Sequence, residues 1–374
     1  MSRLGLIVNP IAGLGGRVGL KGTDGLETLA RARELGAEPV AAGRAGRALA
    51  RLERDAPSVT LVVAAGVMGA DAAACHRFQT EVLPIPTHGG ETTALDTREA
   101  ARELAKREVD LILFAGGDGT ARDVHDAVGE SVPVLGIPTG VKMHSGVFAT
   151  TPESAGLVAA RFLTRGPEAP LREAEVVDID ERALRGGALL TSLYGAVRVP
   201  DDRFHVQAMK AAGAGSSDET DVEAVCAQIA DAMVPERLYV LGPGTTTRRI
   251  TRRLGLPKTL LGVDVVRAGR IVGADLGERD LLELLDAQPA TLIVGVVGGQ
   301  GALFGRGNQQ LSPAVIRRIG VENVEVVAGL RKLLALDPLL LHVDTGDPEL
   351  DSELAGYRRV HVAPDRTVVS KVAA

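Results

Sequence analysis

Five short apolar runs in the first 165 residues constrain this chain most: LGLIV at 4–8, VTLVVAA at 59–65, EVLPI at 81–85, VDLILFA at 109–115 and PVLGI at 133–137. None alternates strictly with polar residues, so each reads as a strand buried on both faces. Between them lie stretches rich in Ala, Arg, Glu and Leu, such as TREAARELAKR at 97–107, with helical patterning. Strands that alternate with helices predict a parallel sheet covered on both sides, an α/β fold. In such sheets ligands sit in the loops at the carboxyl ends of strands.

The segment GPEAP at 166–170 marks a change of texture, so 1–165 is read as one domain and 166–374 as another. A length of 374 residues suits two domains. Stretches 172–180 and 188–199 read as strands with partial alternation, and GAGSS at 213–217 leads into a helix at about 218–233. Three strand-then-loop units follow, at 237–241, 260–266 and 290–297. Aromatics are only 2% and Trp is absent, so the cores must be aliphatic.

Composition also excludes classes of function. The net charge is −6, with no basic block interleaved with aromatics, so no nucleic-acid partner is expected. No run of about 18 apolar residues occurs, so no membrane span is expected. Cys75 and Cys226 are the two cysteines. They offer neither metal-ligand spacing nor a disulfide framework, no metal site is assigned, and a cytoplasmic location is the default. MSRLGLIVNP reads as the start of the first strand rather than as a leader.

The densest motif is GGDGT at 116–120, between the strand VDLILFA and the helical pattern ARDVHDAVG. Gly116, Gly117 and Gly119 permit close backbone approach, and amides at the following helix start favour anions. Thr120 and Asp123 have the spacing of a capping box. Asp118 is out of place in a loop for anions unless it works: it can bind a sugar hydroxyl, hold Mg²⁺, or take the proton of an attacking hydroxyl.

Four other loops carry candidate ligand groups. NPIAGLGGRVGLKGTDG at 9–25 is neither a Walker loop nor G-x-G-x-x-G, because Val18 occupies the final position after Gly13 and Gly15. It still offers Asn9, Gly13, Gly15 and Gly16, the cations Arg17 and Lys21, and Asp24. GIPTGVKMHSG at 136–146 supplies Thr139, Lys142 and Ser145, with His144 a polar residue rather than a metal ligand. GPGTTTRRI at 242–250 places Gly244, Thr245 and Thr246 at a helix start with Arg248 and Arg249 inside it, although Thr is also a common cap. GGQGALFGRGNQQLSP at 298–313 crowds Gly299, Gln300, Gly301, Arg306, Asn308, Gln309 and Gln310 into one loop, groups suited to base edges, ribose and phosphate. DTGD at 344–347 reads equally as a surface turn or as a Mg²⁺ or ribose contact.

GGDGT after a buried strand resembles the superfamily of NAD kinases, diacylglycerol kinases and related enzymes. The order NPIAGLGGRVGLKGTDG, GGDGT, GPGTTT, LLGVDVV, GGQGALFGRGNQQLSP, DTGD is similar to predicted ATP-NAD kinase proteins of the acetoin catabolism protein X (AcoX) type, over nearly the whole chain. The resemblance implies a Rossmann-like N-terminal domain, a β-rich C-terminal domain, and a tail at about 356–374 that can pack back on the first. It implies ATP and NAD as bound nucleotides, Mg²⁺ with ATP, and a homo-oligomer. It places Asp118 by the acceptor ribose as the base that lets the 2′-hydroxyl attack the γ-phosphate. The chain departs from the family in having no Asn-Glu or Asn-Asp pair, its asparagines being Asn9, Asn308 and Asn323. Another small hydroxyl acceptor, polyphosphate as donor, and a non-catalytic nucleotide-binding role all stay open.

Overall fold

The computed structural model describes residues 2–20, 22, 25–84, 92–141, 143–179, 191–207, 216–286, 288–297 and 299–374. Contacts divide the chain into two units, Met1–Leu14 with Glu38–Met209, and Gly15–Ala37 with Lys210–Ala374. The composition break at 166–170 falls inside the first unit, where a short 3-10 turn, Gly166–Glu168, follows a helix.

The first unit runs β1 (Arg3–Val8), then, past α1 (Leu26–Glu34) of the second unit, α2 (Ala41–Asp55), β2 (Thr60–Ala64), α3 (Ala70–Ala73), β3 (Gln79–Leu83) and α4 (Ala94–Lys106). It continues with β4 (Leu111–Gly116), α5 (Asp118–Val128), β5 (Val134–Pro138), α6 (Pro152–Arg165), β6 (Leu171–Ile179) and β7 (Thr191–Pro200). The five-stranded sheet is parallel throughout, in the order β3-β2-β1-β4-β5.

Alternation along each central strand divides the core. Leu4, Leu6 and Val8 of β1 and Leu111, Leu113 and Ala115 of β4 pack with Ala45, Ala48, Leu49 and Leu52 of α2 and Val158 of α6. Their neighbours Ile7, Ile112 and Phe114 face the opposite way, onto Ala100 and Leu104 of α4 and Ala121 and Val124 of α5. Each full burial of a Leu, Ile, Val or Phe side chain among these is worth roughly 1.5–3 kcal/mol. Both faces are therefore covered, as the unbroken apolar runs predict. The run at 81–85 is the exception: β3 is an edge strand with Val82 51% exposed, and 85 lies outside the described residues.

The hairpin β6–β7 is antiparallel and closes over the α5 side, where Ala174, Val176, Val197 and Val199 join Phe148 and Met143. Phe114 and Phe148 meet edge to face, with centroids 5.6 Å apart. Helix α6 starts as its sequence dictates, with Thr151 accepting the Ser154 N–H at 3.1 Å and Pro152 in the first turn.

The second unit contains α7 (Ser216–Asp231), β8 (Leu238–Leu241), α8 (Thr245–Arg253), β9 (Asp264–Arg267), β10 (Arg270–Gly273), α9 (Glu278–Leu284) and β11 (Ala290–Gly295). After these come α10 (Pro313–Ile319), β12 (Val324–Val327), α11 (Leu330–Leu334), β13 (Leu341–His342), α12 (Pro348–Leu354), β14 (Gly356–Ala363) and β15 (Arg366–Ala373). Its eight-stranded sheet has the order β10-β9-β8-β11-β12-β14-β15-β13. β8, β11, β12 and β14 run parallel, while β9 and β15 are antiparallel to their neighbours β8 and β14. The tail at 356–374 belongs to this sheet as β14 and β15, so its partner is the second unit's own β12. No helix among the described residues is long and apolar enough to cross a membrane.

Candidate active site

Strand order reverses direction between β1 and β4 in the first unit, and that switch point is where a crevice opens at the carboxyl ends of parallel strands. The loops after β1, β4 and β5 meet there. Asn9, just past β1, donates its side-chain amide to Thr120 Oγ1 at 2.9 Å, and its own N–H reaches the Ala115 carbonyl at 2.9 Å. The Gly116 carbonyl, ending β4, accepts from both Thr139 and Gly140 N–H at 3.0 Å. Gly13 has φ +78°, and a Cβ on it would lie 2.1 Å from the Thr139 carbonyl oxygen. Thr139 is buried and turns its hydroxyl to the Ile137 carbonyl. Asn9, Gly13, Gly116, Thr120 and Thr139 thus weld the three loops to one another.

Helix α5 begins within the motif. Gly117 is its cap and Asp118 its first residue. Thr120 therefore lies inside the helix, and the expected Thr120–Asp123 capping box does not form. Asp123 instead pairs with Arg98 at 2.9 Å. Burial raises the Asp123 carboxyl above its ordinary range, opposed by Arg98.

The Asp118 carboxylate is held by two consecutive backbone amides, His144 N–H to Oδ2 at 2.8 Å and Ser145 N–H to Oδ1 at 3.0 Å. These donors resolve the oddity of an acid in a glycine-rich loop: the backbone offsets its charge and fixes both oxygens. Sequence reasoning could not find these donors, since a backbone amide carries no residue signature. Gly119 differs from its neighbours, for a Cβ there would meet nothing within 4 Å.

The remaining candidates belong to the second unit or fall outside the described residues. Gly15 and Gly16 form a tight turn, their carbonyls accepting from Leu20 and Gly19, and this segment is counted with the second unit. Lys21, Asp24 and Lys142 lie outside the described residues. In the second unit the GPGTTT and GGQG loops follow the adjacent parallel strands β8 and β11. Gly244 caps α8 and Thr246 packs on Gly295, while Thr247 turns its hydroxyl back to the Gly242 carbonyl at 2.6 Å. Thr245 lines a cleft of about 250 Å³ with Arg248, Arg249, Arg252 and Glu219.

The amide-rich loop folds largely around itself. Asn308 donates to the Leu303 carbonyl at 2.7 Å and accepts from Gly305 N–H at 3.0 Å. Gln309 donates to the Gly305 carbonyl at 3.2 Å. Gly299 and Gly301 adopt φ of +76° and +66°, and Gln300 is buried beside them. Arg306 is buried against Asp344 of DTGD at 3.4 Å. Asp347 of the same motif caps α12 by accepting from Glu349 and Leu350 N–H. Among the described residues no group of three or more His, Cys, Asp or Glu comes together to hold a metal.

Residues 4–166 match the family model for the ATP-NAD kinase N-terminal domain, and 234–372 match that for the ATP-NAD kinase C-terminal domain. A curated diacylglycerol kinase of Bacillus subtilis (strain 168) is 33% identical over 120 residues, 31% of this chain. The chain spans 39% of that relative's length.

Proposed function

The chain belongs to the ATP-NAD kinase family, whose members are phosphotransferases with an alcohol group as acceptor, and on that premise we propose that it phosphorylates the adenosine-ribose 2′-hydroxyl of NAD at the expense of ATP. The observation that supports this best is the clamped carboxylate of Asp118 at the sheet's switch point. In the reaction the 2′-oxygen bonds to the γ-phosphorus, the bond to the bridging oxygen breaks, and ADP leaves. Asp118 accepts the hydroxyl proton as that bond forms. Mg²⁺ bound with ATP would supply charge neutralisation on the donor phosphates. The motif order favours the acetoin catabolism protein X type within the family. A cytoplasmic homo-oligomer is part of the same proposal.

A second reading, a kinase for another small hydroxyl, has its own support. All three asparagines are engaged in holding the fold: Asn9 with Thr120, Asn308 within its loop, and Asn323 with the Ile319 carbonyl at 2.8 Å and Arg237 at 3.3 Å. No Asn-Glu pair is present to grip a ribose. The test is to supply ATP, Mg²⁺ and NAD and detect NADP with an NADP-specific dehydrogenase. NADP formation supports the first reading. ADP release that needs a different hydroxyl compound, with no NADP formed, supports the second.

A further inference from the structure

We infer that Gln207 is a positioning residue for Asp118, acting through the backbone of Ser145. The inference rests on the reading of Asp118 as the base.

Ser145 is wholly buried and each of its polar groups is committed. Its N–H holds Asp118 at 3.0 Å, its carbonyl accepts from Gln207 Nε2 at 2.9 Å, and its hydroxyl accepts from Val177 N–H of β6 at 3.0 Å. Gln207 is itself fixed. Its N–H reaches the Phe148 carbonyl at 2.9 Å, and its carbonyl accepts from Arg172 of β6 at 3.3 Å. The same guanidinium holds the Gly146 carbonyl at 3.1 Å. A line of hydrogen bonds thus runs from β6 through Arg172 and Gln207 to Ser145 and ends on the carboxylate.

The Ser145 N–H and carbonyl lie on successive peptide planes that share the Ser145 Cα, so the bond from Gln207 to the carbonyl steadies the plane next to the one whose N–H meets Asp118. Without Gln207 the 143–146 loop keeps its attachment to β6 through Val177 and Gly146, so the fold persists while the amide that aims the carboxylate loosens. A carboxylate misplaced by about 1 Å costs up to about 10²-fold in rate.

The test is a double-mutant cycle of Gln207→Met and Asp118→Asn, read as kcat and KM, with the amide resonances of His144 and Ser145 followed by NMR. Expected is a 10- to 100-fold loss of kcat in Gln207→Met on the order set by misplacement, with KM for ATP within about twofold. In the Asp118→Asn background the same change should have almost no further effect, because it acts through Asp118. Equal losses in both backgrounds, or an unchanged kcat, would overturn the inference. The amide readout separates this inference from the reading it rests on. Should the wild type turn over no acceptor, Gln207→Met must still move the Ser145 amide toward its position in Asp118→Asn, and an unmoved amide sinks the inference regardless of activity. If Gln207→Met does not fold, Gln207→Asn, which stays polar but loses reach, is read the same way.

Discussion

Gly117 and Gly140 meet backbone to backbone: a Cβ on Gly140 would stand 2.6 Å from the Gly117 Cα, and one on Gly117 would stand 3.0 Å from the Gly140 Cα. Two loops from neighbouring strands β4 and β5 are thereby brought within reach of one Asp118 carboxylate. The glycines of the first unit's site fall into two kinds, those the fold requires and one it does not.

Gly140→Ala should lower the melting temperature by several degrees and weaken nucleotide binding, because backbone must move. Gly119→Ala should do the opposite to stability. Ala is favoured over Gly in a helix by up to about 1 kcal/mol, and the added methyl meets nothing within 4 Å among the described residues outside its own helix turn. Nucleotide affinity in Gly119→Ala should nonetheless fall at least about tenfold where a phosphate or ribose approaches that backbone. Calorimetry with ATP checks both, and unaltered affinity in Gly119→Ala would remove the ligand from that face.

Arg306→Leu tests the assignment of the second unit's amide-rich loop. Leaving Asp344 buried without its cation should cost about 3–5 kcal/mol of unfolding free energy. Denaturant titration reads this directly. A variant of full stability that has lost nucleotide affinity would make Arg306 a ligand-binding group.

Asp347 gives a pH signature. Its hydrogen bond from Arg317, aided by the Leu350 amide, lowers its carboxyl to about 2, below the ordinary range. A lowered folded value means stability that is present above an unfolded value near ~3.9 and lost as pH falls toward 2. Asp347→Ala should therefore be less stable than wild type by about 1 kcal/mol at pH 7. The gap should close between about pH 4 and 2. A constant gap across that range would rule out the charged cap as its source.

Cys226 packs beneath the GPGTTT loop, its thiol 3.4 Å from the Thr246 carbonyl, and burial pushes it up to about 12. Cys75 is exposed. Iodoacetamide at pH 8 should label Cys75 alone in the native protein, and both after denaturation. Labelling of native Cys226 at a similar rate would contradict the packing of α7 against α8.

How much of this was legible depended on where each signal resides. β1, β2, β4 and β5 were readable because burial on both faces leaves an unbroken apolar run. β10, β14 and β15 were not read, since residues such as Arg270, Arg358, Arg359 and Lys371 interrupt strands that keep one side in solvent. β13, with two residues, is too short to announce itself, and Glu325 interrupts the apolar run of β12. At the site, Asp118 and its glycines stood out in sequence. Its partners did not, being amides of His144 and Ser145 brought in by topology. In the amide-rich loop a structural use of the amides was not legible: a turn with Gly299, Gly301, Gly305 and Gly307 at positive φ leaves carbonyls that need donors, and Asn308 and Gln309 supply two of them.

The most direct test compares wild type with Asp118→Asn in NADP formation from ATP, Mg²⁺ and NAD, with ATP affinity and circular dichroism measured on the same samples. The account predicts NADP from the wild type, and a loss of about 10²–10⁴-fold in kcat in a folded variant that still binds ATP. An Asp118→Asn enzyme that makes NADP at the wild-type rate would contradict the assignment of Asp118 as the base, and a folded wild type that makes none would contradict NAD as the acceptor.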